Sequence, residues 1–396
     1  MTGKDPMPAP AAPERLRILH VFRAPLGGLF RNVIDLTQGQ IALGHEVGIF
    51  CDSSTGGTRA ADVLAELAPR LALGLTRVPM TRYPGMSDLK ALRSFVETRR
   101  AVNPDIIHTH GSKGGVYGRL PARLDSRRAY ATAYTPHGGS FNYKPGTMVH
   151  RFYMGVERLL EPATDLFTFE SRFILGRFEA YVGRKPRNGH RIVLNGVAED
   201  EFVPIDNSGA SFDMVYLGEL RSAKGIDTLI DALRRLKSAD RLTPSLLMVG
   251  SGPDDALLKQ MASALGVAEQ ITWAPPGPIR AALARARFMV VPSRAESLPY
   301  VILEAAAAAQ PLVSTNVGGI PEIYGPDHRQ RLIPPNDPEA LRLALRTALA
   351  KSDTELKAEA ADLAGFVRRH FTLDQMITGA IEGYRSALER RARPAP

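Results

Sequence analysis

RLRILHVFRAPLGG, residues 15–28, is a short aliphatic run that stops at a loop containing Pro and two Gly, and a helical pattern follows from about Phe30 to Leu43. A continuous apolar run of this length, bounded by turn residues, reads as a strand buried on both faces. The plan of strand, loop and helix then repeats. HEVGIFCD (45–52) is the next strand, and the helix DLKALRSFVETRRAV (88–102) leads into NPDIIHTHG (103–111), again strand then loop. AYATAYTPHGG (129–139) repeats the pattern. Strands separated by helices imply βαβ units and a parallel sheet covered on both faces. Such sheets hold ligands at the carboxyl ends of their strands. RAPLGG, HTHGSKGG and TPHGGS all follow strands, so all three are expected on one edge.

A second series begins after RIVLNGVAEDEFVPI (191–205). SFDMVYLGELRSAKGIDTLIDALRRL, PSLLMVGSGPDDALLKQMASALGV and FMVVPSRAESLPYVILEAAAAA share the plan, and PLVSTNVGGIPEIY closes it. The chain therefore reads as an α/β protein of two tandem, Rossmann-like, doubly wound domains. The expected division is a disordered leader over 1–14, an N-terminal domain over 15–195 and a C-terminal domain over 196–372. An amphipathic helix over 373–396 is expected to cross back to the first domain.

Length and composition agree. A chain of 396 residues exceeds one ordinary core, and 44% apolar with 23% charged residues is the balance of a soluble globular protein. No apolar run is long enough to span a bilayer, and the leader lacks the apolar block of a secretory signal. The single Cys51 fits a reducing compartment. The net charge of +9, from 50 Lys and Arg against 41 Asp and Glu, suits an anionic lipid surface or phosphorylated small molecules. No basic stretch is interleaved with stacking aromatics, so nucleic acid is not an expected partner. The groups GRLPARLDSRR, GRKPRNGHR and RRARP read as a solvated, Arg-rich surface.

Several loops offer chemistry. Gly27 and Gly28 let backbone approach an anion at a helix N-terminus, or simply make a tight turn. In GELRSAKG, Arg221 and Lys224 suit a diphosphate, or are two exposed cations. His108 and His110 share a strand face, yet no carboxylate or Cys lies at ligand spacing, and no metal is expected. His137 lies at a strand end among small residues, open to a substrate or held as a structural histidine. In SRAESLPYVILEAAAAAQP (293–311), Pro299 suits the first turn of a helix and Ser297 is available to cap it. Glu296 then stands before that helix and Glu304 inside it, around a helix N-terminus that attracts phosphate. Carboxylates accept hydrogen bonds from vicinal sugar hydroxyls, as acidic residues do for ribose in dinucleotide folds. The other reading of Glu304 is an exposed helix face.

Taken in order, GGLFRNV, PDIIHTHGSKGGVYGR, TPHGG, LNGV, LGELRSAKG, VGSGP and PSRAESLPYVILEA resemble the motifs of glycosyltransferase family 4, a retaining, nucleotide-sugar-dependent class with the GT-B fold. The resemblance covers about residues 16–385, and Glu296 and Glu304 match the family's E-x7-E pattern. It implies a fold of two Rossmann-like domains facing a central cleft. It implies a hexose moved from a nucleoside-diphosphate sugar to a growing, lipid-linked glycan in surface polysaccharide or lipopolysaccharide synthesis, at the cytoplasmic face of the membrane. By resemblance, Glu304 binds ribose, Glu296 faces the transferred sugar, and Arg221 and Lys224 hold the diphosphate with backbone at Ser297 and Leu298. Gly28 approaches the diphosphate, His137 touches the donor sugar, and His110, Lys113, Gly138, Asn195 and Gly250 complete the donor site. No metal or other cofactor is implied. Ser297-Leu298-Pro299-Tyr300 departs from the family's usual E-G-F/G-G-like residues, and Pro299 removes one N–H donor. A sugar-nucleotide epimerase or hydrolase, or a non-catalytic sugar-nucleotide-binding subunit, are the alternatives on the same plan.

Overall fold

The computed structural model describes residues 14–82, 85–125 and 127–392. The leader expected over 1–14 lies outside them except for Glu14. The chain divides into two compact units, one of residues up to 194 together with 374 onward, the other of 195–373.

The first unit runs β1 (Arg17–Phe22), α1 (Gly27–Ala42), β2 (Glu46–Asp52), α2 (Gly57–Leu67), β3 (Leu75–Val78), α3 (Ser87–Val102), β4 (Ile106–His110), α4 (Gly111–Leu124) and β5 (Ala131–Thr135). It continues with α5 (Met148–Leu160), β6 (Leu166–Phe169), α6 (Arg172–Val182) and β7 (His190–Ile192). Its seven strands pair in parallel in the order β3-β2-β1-β4-β5-β6-β7. The order reverses between β1 and β4, the point at which open α/β sheets leave a crevice. There the ladder sets His20 beside His108 and Phe22 beside His110. Sequence periodicity placed the first helix at Phe30, but α1 begins at Gly27 and takes both glycines into its first turn.

The second unit runs β8 (Phe212–Leu217), α7 (Ile226–Arg235), β9 (Leu246–Val249), α8 (Asp255–Ala264), β10 (Ile271–Ala274), α9 (Ile279–Leu283), β11 (Ala286–Val291) and α10 (Tyr300–Ala307). β12 (Leu312–Ser314), α11 (Ile320–His328), α12 (Pro338–Ala350) and α13 (Asp353–His370) complete it. The parallel order is β10-β9-β8-β11-β12, with the switch between β8 and β11. Its core joins Met214, Tyr216, Leu246, Met248, Phe288 and Val290 of the strands to Leu229, Ile230 and Leu233 of α7. Both sheet faces are covered, which is why these strands read as unbroken apolar runs.

α14 (Leu373–Ala392) belongs to the first unit from Asp374 onward. Met376, Ile377, Ala380, Ile381, Tyr384 and Ala387 are its buried stripe. Tyr384 lies among buried polar groups of that unit: its hydroxyl is 2.6 Å from His108 Nδ1 and 3.3 Å from Gln40 Nε2.

The Arg-rich groups are only in part the solvated surface that their composition suggested: Arg123, Arg127, Arg187 and Arg390 are exposed, but others are drawn inward. Arg119 is fully buried, 2.8 Å from Glu157 and 3.6 Å over the Tyr134 ring, and the Tyr134 hydroxyl donates to Glu157 at 2.9 Å. Arg128 and Arg391 converge on Asp165 at 2.8 and 3.2 Å. Arg184 and Arg187 reach the buried Glu161 at 2.8 and 3.5 Å. Burial of a charge is tolerated only with such partners.

Candidate active site

In the second unit the loops after β8, β9 and β11 stack tightly. A Cβ on Gly250 would stand 1.9 Å from the Gly218 carbonyl oxygen, so this glycine is required for loop against loop. Gly250 was expected as a ligand contact; its demonstrable role is this close approach. Gly318, at φ +60°, has the same relation to the Glu296 carbonyl, 1.8 Å from its would-be Cβ.

These contacts bring together residues far apart in sequence. Lys224 Nζ donates to Glu296 Oε1 at 2.6 Å, and Ser293 Oγ donates to the same oxygen at 2.7 Å. Lys224 and Glu296, expected to meet different parts of a ligand, are joined by the fold in one ion pair with little solvent around it. Arg221 differs: it pairs with Glu219 at 3.0 Å and both side chains are about half exposed. Exposed pairs are weak, so Arg221 is easily released to an anion.

Arg294 is a further residue of this region, not among those expected from the motifs. Its guanidinium holds Asp227 Oδ2 at 2.6 Å, the Ser222 carbonyl at 2.7 Å and Thr228 Oγ1 at 3.0 Å, and its backbone N–H donates to Ala223 at 2.9 Å. It fixes the turn that carries Lys224. The sole sequence signal was its place in SRAES, beside Glu296.

The start of α10 also differs from expectation. Pro299 is the residue before the helix rather than within its first turn, and Ser297 does not cap it: no side chain does. Leu298 is buried, and its carbonyl accepts from Asn195 Nδ2 at 2.8 Å. Asn195, expected at the donor, is thus itself buried and holds the approach to the helix in place. Glu304 lies in α10, partly exposed between buried Leu303 and Ala305.

In the first unit, HTHGSKGG and TPHGGS are tied together, since Ser112 Oγ accepts from the Ser140 N–H at 2.9 Å. His137 takes a left-handed conformation, φ +50°, uncommon outside Gly. It stays partly exposed, and Gly138 beside it is buried. His110 is fully buried, with Nε2 2.9 Å from His20 Nδ1 and Nδ1 3.0 Å from His137 Nε2. Expected at the donor, it instead supports His137. Lys113 is committed as well, 2.7 Å from Asp88 and bonded to the Thr81 carbonyl. Gly28 is exposed near the start of α1, which no side chain caps.

His20 adds a third imidazole to the pair noted in HTH: His20, His108 and His110 are buried and close enough to share a cation. Their nitrogens are already engaged, however. His20 Nε2 faces Gln40 Oε1 at 2.9 Å, and His108 bonds the Tyr384 hydroxyl at 2.6 Å and Thr135 Oγ1 at 2.8 Å. Burial lowers the pKa of His20 to about 4 and of His137 to about 3, and holds His108 and His110 well below the usual imidazole range. The cluster is a neutral hydrogen-bonded network.

Comparison with known proteins bears on this arrangement. The family model for glycosyl transferases group 1 matches residues 199–362, and that for glycosyltransferase family 4 matches 26–201. The chain is 32% identical over 376 residues to the GDP-mannose-dependent alpha-(1-6)-phosphatidylinositol monomannoside mannosyltransferase of Mycolicibacterium smegmatis, covering 88% of this chain and 91% of that one. It is 28% identical over 418 residues to the D-inositol 3-phosphate glycosyltransferase of Jonesia denitrificans, covering 94% and 96%. Among solved structures, Anabaena HepE in complex with UDP and glucose matches with a TM-score of 0.75 at 17% identity, over 93% of this chain and 99% of that one. Two parallel α/β units whose loops carry these residues, matched along the chain in this way, make the protein a glycosyltransferase of family 4 with the GT-B fold.

Proposed function

We propose that the protein is a retaining transferase that moves a hexose from a nucleoside-diphosphate sugar to a hydroxyl of a growing, lipid-linked glycan in surface polysaccharide or lipopolysaccharide synthesis. The observation that carries the reading is the Lys224–Glu296 pair at the carboxyl ends of β8 and β11, just ahead of a helix that no side chain caps. A diphosphate arriving there meets the positive end of the α10 dipole, Lys224 and the readily released Arg221. As Lys224 turns to the phosphate, Glu296 is left to accept from the sugar hydroxyls, and Glu304 accepts from the ribose. In the first unit, His137 contacts the sugar.

The chemistry needed is stabilisation of charge developing on the leaving diphosphate. Fixed cations and N–H donors supply it, each worth on the order of 3–4 kcal/mol in comparable sites. The proposal therefore includes independence from divalent ions, and chelator is expected to leave turnover unchanged. The M. smegmatis relative is named for a phosphatidylinositol acceptor, which supports a lipid-linked one here. Among the described residues no helix is long and apolar enough to cross a membrane. Peripheral attachment to the inner leaflet is proposed instead, through α5, where Met148, Val149, Phe152 and Leu159 are exposed beside exposed Arg151 and Lys144.

The test is a thermal-shift panel of nucleoside diphosphates and nucleotide sugars, because a ligand held by the native state raises Tm by mass action. One donor is expected to raise Tm in the wild type and to do so less in Glu304→Ala. A panel without any shift would remove the nucleotide-sugar reading. Donor turnover that proceeds equally well without acceptor would replace transfer by hydrolysis.

A further inference from the structure

Beneath His137 lies a single hydrogen-bonded series that reaches across the first unit. Gln40 is buried in α1 with its two amide atoms facing different partners: Oε1 is 2.9 Å from His20 Nε2, and Nε2 is 3.3 Å from the Tyr384 hydroxyl. An amide oxygen only accepts, and a neutral imidazole has one donor and one acceptor nitrogen. With the amide in this orientation His20 carries its proton on Nε2 and presents a bare Nδ1, whereas the reversed amide would invert every bond of the series. His110 Nε2, 2.9 Å away, must donate to it, which leaves His110 Nδ1 bare. His137 Nε2, 3.0 Å further on, must donate in turn. The other arm is consistent with this polarity. Tyr384 accepts from Gln40 and donates to His108 Nδ1 at 2.6 Å, and His108 Nε2 donates to Thr135 at 2.8 Å. Thr135 then donates to Thr168, and Thr168 to the Tyr134 carbonyl at 3.4 Å.

We propose that Gln40, acting through His20 and His110, locks His137 in the Nε2–H tautomer and so presents Nδ1 as a bare acceptor. His137 is the one partly exposed imidazole of the series, and Nδ1 has no hydrogen-bond partner among the described residues. It therefore suits a ligand hydroxyl and rejects a carbonyl or phosphate oxygen, which has no proton to give. The series is a lock rather than a proton wire, because it ends on an amide oxygen that takes no proton at neutral pH. Gln40, His20 and His110 are positioning residues. The sugar-facing role of Nδ1 rests on the function proposed above; the tautomer itself does not.

The experiment uses the full chain labelled with nitrogen-15 at histidine. Long-range proton–nitrogen correlation spectra separate protonated from bare ring nitrogens, and His137 is assigned by the signals lost in His137→Asn. Wild-type protein is expected to show Nε2 protonated and Nδ1 bare at His137. A proton on Nδ1 overturns the proposal, as does a stoichiometric metal whose removal moves the signals of His20, His108 and His110. Gln40→Leu is expected to give mixed tautomers at His137 and to lower kcat by roughly 10- to 100-fold, the range seen for orienting partners in other sites, with KM for the donor little changed. Gln40→Glu, which keeps an acceptor, is expected to restore both. An unchanged His137 tautomer in folded Gln40→Leu overturns the lock, and if that variant does not fold the wild-type spectrum decides alone. A bare Nδ1 that becomes mixed in Gln40→Leu, together with full turnover in His137→Asn, upholds the lock and removes only the sugar contact.

Discussion

Lys224 and Glu296 are 72 residues apart, and their contact is the pair on which the proposed nucleotide-sugar site rests. Replacing Lys224 by Ala leaves Glu296 with Ser293 alone, in a setting that excludes most water. Turnover is expected to fall about 100- to 1000-fold, the cost of losing one preorganised donor to developing charge, with a smaller fall for Arg221→Ala because its resting pair is exposed. Steady-state kinetics with a saturating acceptor measure both. Gly318 makes a sharper steric demand. A Cβ there would overlap the Glu296 carbonyl at a backbone angle that L residues avoid, so Gly318→Ala is expected to cost about 1–3 kcal/mol of strain. Loss of donor-induced stabilisation should accompany it, measured by chemical denaturation with and without nucleotide. Arg119→Met removes one partner of a buried ion pair and leaves Glu157 uncompensated. Destabilisation of about 3–5 kcal/mol is expected, read as a lower urea midpoint at unchanged slope.

At the scale of elements, α5 and α14 are both amphipathic and have opposite fates. The α14 stripe is buried within the first unit, whereas α5 buries only Met154, Leu160 and their polar neighbours and leaves Met148, Val149, Phe152 and Leu159 to solvent. Met148→Ser with Phe152→Ser is expected to weaken sedimentation with vesicles containing anionic phosphatidylglycerol and to leave Tm unchanged, since both side chains are exposed. Wild-type binding should weaken with added salt, because the flanking Lys144 and Arg151 contribute about 1 kcal/mol each near an anionic surface. Equal sedimentation of wild type and double variant would discard α5 as the contact.

Across the whole molecule, the buried histidines set a pH dependence. His20 titrates near 6.5 when unfolded and near 4 when folded, and the other three histidines are lowered by the same desolvation. As pH falls below about 6.5 the unfolded chain takes protons that the folded chain refuses, so stability is complete above that pH and declines toward 4. Each group adds up to about 1.4 kcal/mol per pH unit within this window. A slope between pH 6.5 and 5 steeper than one proton is expected from urea midpoints. A flat profile there would mean that the histidines are protonated in the native state.

The strand–loop–helix rhythm that opens at RLRILHVFRAPLGG was enough for two parallel sheets and for the loops at their carboxyl ends, because hydrophobic periodicity is local. The order of motifs was likewise enough for the family. Spacing also singled out Glu296, Lys224 and His137, though not their partners. Pairing Lys224 with Glu296, burying Arg119 on Glu157, bracing the SAK turn with Arg294 and seating Gln40 against His20 each need residues brought together from different strands, helices and loops. Those encounters depend on register and packing, and a buried polar group acquires its partner only once water has been excluded.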